Sequence, residues 1–225
     1  NGTANALPAT LFILFVTHVL AAPEWIPGLL ALYFVAGVAG LPLWLALARR
    51  IGKHRSWAVS MIWASAVFVW VPLLGAGDVW PFLAICLLSG LSLGVDMALP
   101  ASIQADVVDL DRARGGGERA GLFFGIWGMA TKLALALAVG LAFPLLALAG
   151  FDPDAAVPDG LWALALLYGA LPVAFKLAAV ALVWRFPLDR PALQSLQRRP
   201  SDDTTQLAGA PGGAGAPVGV LDHAP

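Results

Sequence analysis

Charge is what this chain has least of. Only 12% of its 225 residues are Asp, Glu, Lys or Arg, while 60% are hydrophobic. Soluble globular proteins carry about a quarter charged residues, so this composition excludes an ordinary water-soluble domain. Cysteine is almost as scarce. The single Cys86 rules out an internal disulfide and a cysteine-ligated metal centre, and inside an apolar run it reads as a small packing residue. No excess of positive charge exists either: 13 basic and 14 acidic side chains leave a net charge of −1, which gives no sign of a nucleic-acid partner. The short alternating runs of barrel strands are missing. So is a basic leader: no Met starts the chain and no Lys or Arg precedes Ala4, so no cleavable signal peptide is read here. A start at Asn1 fits a fragment, or one half of a longer protein.

What remains is apolar and long. Six hydrophobic segments stand out, at about 4–22, 26–48, 56–75, 79–103, 120–149 and 160–184. Roughly 20 residues of helix cross a bilayer, and lipid tolerates only helices or closed barrels. The sequence therefore predicts an all-α membrane protein with six transmembrane helices. Basic residues occupy alternate gaps only: Arg49, Arg50, Lys53 and Arg55 after the second segment, Arg112, Arg114 and Arg119 after the fourth, Arg185 and Arg190 after the sixth. The other gaps carry acids alone, namely Glu24, Asp78, Asp152, Asp154 and Asp159. Lys/Arg bias of this kind orients membrane helices, which places the basic gaps and both termini in the cytoplasm. Trp25, Trp57, Trp80, Trp162 and Trp184 mark span ends at the headgroups. The predicted domains are a six-helix unit over 1–185 and a disordered cytoplasmic tail over 186–225, rich in Pro, Ala and Gly.

Two polar stretches bear motifs. One reads Gly40-Leu-Pro42-Leu-Trp44 and then Arg49-Arg50-Ile-Gly52-Lys53-His54-Arg55. The other reads Ala105-Asp106-Val-Val-Asp109, then Gly117-Glu118-Arg119-Ala-Gly121 and Lys132. Together and in this order they resemble the C-terminal half of the glycoside–pentoside–hexuronide:cation symporters, the melibiose-permease group of the major facilitator superfamily, over about residues 4–184. The resemblance implies helices seven to twelve of a twelve-helix transporter, a cation-coupled sugar or glycoside symporter of a bacterial inner membrane. Its implied partners are the lipid bilayer, an N-terminal six-helix half and a small-molecule substrate, a sugar first. No cofactor is implied beyond a coupling cation, Na+ or H+, bound mostly by the other half. Two departures are visible. Arg49 stands where the general loop motif of the superfamily has an acid, and the step from Arg119 to Lys132 is about one residue short.

Lys132 lies 13 residues past Arg119, about 20 Å into the membrane. Its side chain reaches neither surface, and a bare charge there costs roughly 3 kcal/mol or more. It is read either as a substrate- or coupling-linked cation, the role the resemblance implies, or as half of a structural ion pair. Asp96 is its expected counter-charge, on the preceding helix; the alternative is a neutral acid bonded to nearby hydroxyls. Ser89, Gly90, Ser92 and Gly94 before it permit close helix approach. His18 is a possible cavity residue, or an interfacial hydrogen-bonder near the outer surface. Lys176 reads as a packing residue on a helix that the resemblance sets away from the cavity. Arg49, Arg50, Gly52, Lys53, Asp106, Asp109 and Arg119 form a cytoplasmic loop cluster, read both as topology signal and as a gate of ion pairs between halves. Pro42, Pro100 and Pro144 are expected to interrupt their helices.

Two other classes compete. A lysolipid carrier, or another solute carrier or scaffold, shares the fold; a polar cavity favours sugar, an apolar one lipid. A CDP-alcohol phosphotransferase is the remote alternative, since Asp106-x-x-Asp109-x-x-x-Ala113-Arg114 approximates the start of that signature. Leu110 replaces its required glycine and no further Asp follows between Asp111 and Asp152, so a two-metal site does not assemble.

Overall fold

The computed structural model describes residues 1–113, 119–153, 155 and 159–184. It contains six helical spans: α1 (Gly2–Val19), α2 (Pro23–Ile51), α3 (Lys53–Leu73), α4 (Val79–Arg112), α5 (Ala120–Leu148) and α6 (Leu161–Trp184). Each is long and apolar enough to cross a membrane, and no strand occurs among the described residues. Helix satisfies every backbone polar group within the segment, which is why such apolar runs have no other option in lipid. This is a multi-pass membrane fold. The predicted tail, together with Arg114, the triple glycine 115–117, Asp154, Arg185 and Arg190, lies outside the described residues.

Two expectations need correction. The connection placed at 104–119 is helical as far as Ala113, so Asp106 and Asp109 ride on a helix face rather than a loop. Helical assignment continues through Pro42, Pro100 and Pro144. The break falls instead in α4, where Gly90 ends one helix and Leu93 begins the next, with no proline nearby. Two indoles bond to carbonyls at that break: Trp44 Nε1 donates to the Leu91 carbonyl at 3.0 Å and Trp63 Nε1 to that of Leu88 at 2.8 Å. These bonds supply partners that the broken helix no longer provides.

Glycine makes the same region close-packed. A Cβ at Gly40 would stand 2.1 Å from the Leu91 oxygen, one at Gly94 2.5 Å from the Gly37 oxygen, and one at Gly90 2.7 Å from the Tyr33 oxygen. Main chain of α2 therefore touches main chain of α4, the small-residue contact expected where lipid supplies no hydrophobic drive. Gly52 turns α2 into α3 at φ +96°, ψ 157°, a conformation open in practice only to glycine.

Packing is uneven along the bundle. A large apolar core gathers Leu7, Leu11, Phe15, Leu20, Phe82 and Leu164. There Phe15 stacks on Tyr168 at 4.3 Å and tilts against Phe82 at 5.3 Å. Nearer the Lys53 end the apolar core is a smaller cluster of Trp44, Ala48, Val95 and Leu99. α5 packs chiefly on α1, while α6 packs on α3 and α1.

Candidate functional site

Asp96 stands in the first turn of the second half of α4, just past the break. Its carboxylate is the meeting point of four helices. Lys176 Nζ of α6 donates to Oδ2 at 2.8 Å, Asn5 Nδ2 of α1 to the same oxygen at 3.2 Å, and Trp57 Nε1 of α3 to Oδ1 at 2.9 Å. Lys176 Nζ also donates to Asn1 Oδ1 at 3.0 Å. Side-chain exposure is 7% for Asp96 and 10% for Lys176, so this is a buried ion pair. A buried charge demands such pairing, because an isolated one is costly to hold away from water.

The partner expected from sequence was Lys132, and the structure corrects this. Lys132 is exposed on α5, and none of the ion pairs among the described residues includes it. The reason lies in the packing order: α5 turns to α1, and it is α6 that brings an ammonium against α4. Lys176, a packing residue by sequence, is buried in the bundle and paired with Asp96. Trp57, a headgroup marker by sequence, donates its indole N–H to Asp96 inside the bundle. Lys132 instead shares a face with Gly121, Gly125 and Gly128, spaced four, three and four residues apart, beside which there is open space.

A cavity of about 400 Å³ ends on the ion pair. Ile13 and Phe34, 60% and 57% exposed, line it from α1 and α2, which sets its mouth between those helices. Phe12, Tyr33, Phe68 and Tyr168 give it aromatic walls. Asn5, Asp96 and Lys176 meet at one end of it, and Ser92 and Ser89 line it further along α4. Two of these are already engaged by their own helix, since Ser89 Oγ donates to the Ile85 carbonyl and Ser92 Oγ to that of Ser89. The volume suits a small-molecule site, and its lining is largely apolar with an ion pair at one end. A second cavity of about 360 Å³ lies toward the Lys53 end, between Trp57, Pro100, Gln104, Phe123 and Trp127.

The other predicted residues lie away from the first cavity. His18 sits in a wide helical turn at the far end of α1, edge-on to Phe151 at 5.5 Å, and lines neither cavity. At the opposite end Lys53 Nζ bonds both Asp106 oxygens, at 2.8 and 2.6 Å, tying the start of α3 to α4. Arg119 faces Asp111 at 4.0 Å. Arg49, Arg50 and Asp109 are exposed around this end, and Gly52 is buried in the turn. The charge cluster read from sequence thus holds a contact within one six-helix unit.

Comparison with known proteins places this geometry. Residues 1–190 match the family model described as MFS/sugar transport protein. An uncharacterized symporter of Synechocystis is 31% identical over 83% of this chain and 36% of its own length. The sodium-dependent lysophosphatidylcholine symporter 1-A of Danio rerio is 24% identical over 79% of this chain and 34% of its length. The mouse sphingosine-1-phosphate transporter MFSD2B is 29% identical over 84% and 40% respectively. The chain spans little more than a third of the length of these relatives. With six apolar spans and a family match over most of its length, the chain belongs to the MFS/sugar transport protein family, a family of major-facilitator transporters.

Proposed function

We propose that this six-helix unit is the C-terminal half, helices seven to twelve, of a secondary transporter that works by alternating access, and that its cargo is a single-chain amphiphile of the lysolipid class. One observation carries the reading: a cavity with aromatic walls and a single charged end. A sugar needs many directed hydrogen bonds, yet the hydroxyl protons of the two serines in the lining are already given to their own helix. An acyl chain needs the apolar walls that are present. Two of the relatives carry a lysophospholipid or a sphingosine phosphate in their names, which agrees with this. Coupling to Na+ or H+, with the cation held mainly by the N-terminal half, fits a relative named as sodium-dependent.

Lys132 is assigned to the water-filled path between the halves. An exposed ammonium in mid-span is costly against lipid, and the bare glycine face beside it leaves room for cargo or for a neighbouring helix. The basic end, with Arg49, Arg50, Lys53, Arg112 and Arg119, is assigned to the cytoplasm of a bacterial inner membrane. There the Lys53–Asp106 contact and its neighbours serve as an inner gate.

A sugar remains the second reading, favoured by the Asn5, Trp57 and Asp96 cluster and by the family's description. Uptake into proteoliposomes of the complete transporter under a Na+ or H+ gradient separates the two. Saturable uptake of labelled lysophosphatidylcholine, lost in Lys132→Ala while membrane insertion is unchanged, supports the proposal. Uptake of a disaccharide with none of lysolipid overturns it in favour of sugar.

A further inference from the structure

We propose that the second cavity holds an acyl chain of an anionic phospholipid from the surrounding bilayer, with the phosphate resting on the cations at the cavity's rim. The site is separate from the cargo cavity, and it rests on one part of the reading above: that Lys132 turns to the path between the halves. Apart from His54 and Gln104, the lining is hydrocarbon and aromatic. Gln104 Nε2 already donates to the Phe123 carbonyl at 3.1 Å, and the indole N–H of Trp57 is held by Asp96. Such walls suit a hydrocarbon chain and offer little to a sugar or an ion. The volume of about 360 Å³ is that of a ligand pocket, not of a single water.

The direction in which this cavity opens follows from α5. Phe123, Ile126, Trp127 and Ala130 line it, and at 3.6 residues per turn they share one face of the helix. Gly121, Gly125, Gly128 and Lys132 fall on the opposite face. Ile126 and Trp127 are 53% and 44% exposed, which sets the mouth on α5. With Lys132 turned to the other half, that mouth opens onto lipid.

The rim supplies charge. Arg119 stands one turn beyond Phe123, whose backbone N–H donates to the Arg119 carbonyl, and its side chain is 58% exposed. His54 lines the cavity from the start of α3, and the exposed Arg55 follows it. From Arg49 to Arg55 and from Asp106 to Arg119, six Lys and Arg stand against three Asp among the described residues. A head group arriving here meets net positive charge. A guanidinium grips phosphate through two parallel N–H bonds, and basic pockets between spans on the cytoplasmic side take anionic head groups. Helix orientation alone asks for the basic residues, but not for an apolar hollow one turn deeper.

Two phospholipids with the same photoreactive tail, phosphatidylglycerol and phosphatidylcholine, test the site. Each is a trace component of phosphatidylcholine nanodiscs holding the complete transporter, and the labelled residues are mapped by mass spectrometry. Phosphatidylglycerol should label Phe123, Ile126, Trp127 and Val183 about fivefold or more above phosphatidylcholine, and Arg119→Gln should cut that excess by about fivefold. Ala130→Phe fills the cavity and leaves the rim charges in place, so it should remove the labelling of Val183 by both lipids; it also carries the test if Arg119→Gln folds poorly. Equal labelling by the two lipids, or labelling of Val183 unchanged in Ala130→Phe, overturns the site. A lining left unlabelled while other lipid-facing residues react also overturns it, since protein then fills the cavity. Labelling around Lys132 with the lining untouched turns α5 the other way and removes the Lys132 assignment as well. The cargo reading stands or falls on uptake, which these labels do not measure.

Discussion

Asp96 shows how much of this molecule turns on one carboxylate. It is buried, it accepts from Lys176, Asn5 and Trp57, and its neighbours come from three other helices. Removing one member of such a pair leaves the other charge stranded, at a cost of about 3–5 kcal/mol, whereas replacing both with apolar groups of similar size is often neutral. Asp96→Ala and Lys176→Met should each lower the unfolding temperature in detergent, and Asp96→Leu/Lys176→Met should recover most of the loss. A double variant as unstable as the two single losses combined would contradict the account. Trp57→Phe removes one hydrogen bond to a charged acceptor and should cost less, about 1.5–3 kcal/mol in the same unfolding assay. The pairing itself was not legible in the sequence. Asp96 announced itself as a charge inside an apolar run, but its partner lies 80 residues on, and adjacency of helices pointed to Lys132 instead. Depth along a helix can be counted from residue numbers, whereas the side of the helix that meets a given neighbour is decided by packing.

At the scale of the element, the six spans were legible because lipid leaves an apolar run of 20 residues no alternative to helix. Segment ends fall within a few residues of the observed helices, except that α4 runs about nine residues beyond its apolar stretch, to Arg112. Polar residues there end the hydrophobic signal without ending the helix. The break in α4 was not legible, since no proline marks it and the indoles that bond its carbonyls come from α2 and α3. What the sequence did show was the small residues Gly90 and Gly94, now seen against the main chain of α2. Gly40→Val places a side chain on the Leu91 carbonyl, which cannot move aside as a flexible side chain would. It should destabilise by at least the 1–3 kcal/mol typical of overpacking, read as a lower unfolding temperature and a broadened detergent-solubilised peak. Gly52→Ala forces a φ of +96° on a residue with a Cβ and should cost about 1–3 kcal/mol; an unchanged melting profile would contradict the turn geometry.

For the whole molecule, the first question is which way it sits. The alternation of basic gaps predicts that cysteines placed at Lys53 and Asp111, in a Cys86→Ser background, react with an impermeant reagent from one face. One placed at Gly77 should react from the other. Lys53 and Asp111 labelling from opposite faces would break the topology on which everything else is built. The second question is what enters the cavity, and it is the more direct test of the central claim. A lysophosphatidylcholine carrying a photoreactive group in its tail, cross-linked to the intact protein in nanodiscs and mapped by mass spectrometry, should label the aromatic wall at Phe12, Phe34 and Phe68. A disaccharide should not compete, and excess unlabelled lysolipid should. Labelling spread over the lipid-facing surfaces, or confined to α5 with the cavity residues untouched, would contradict the account.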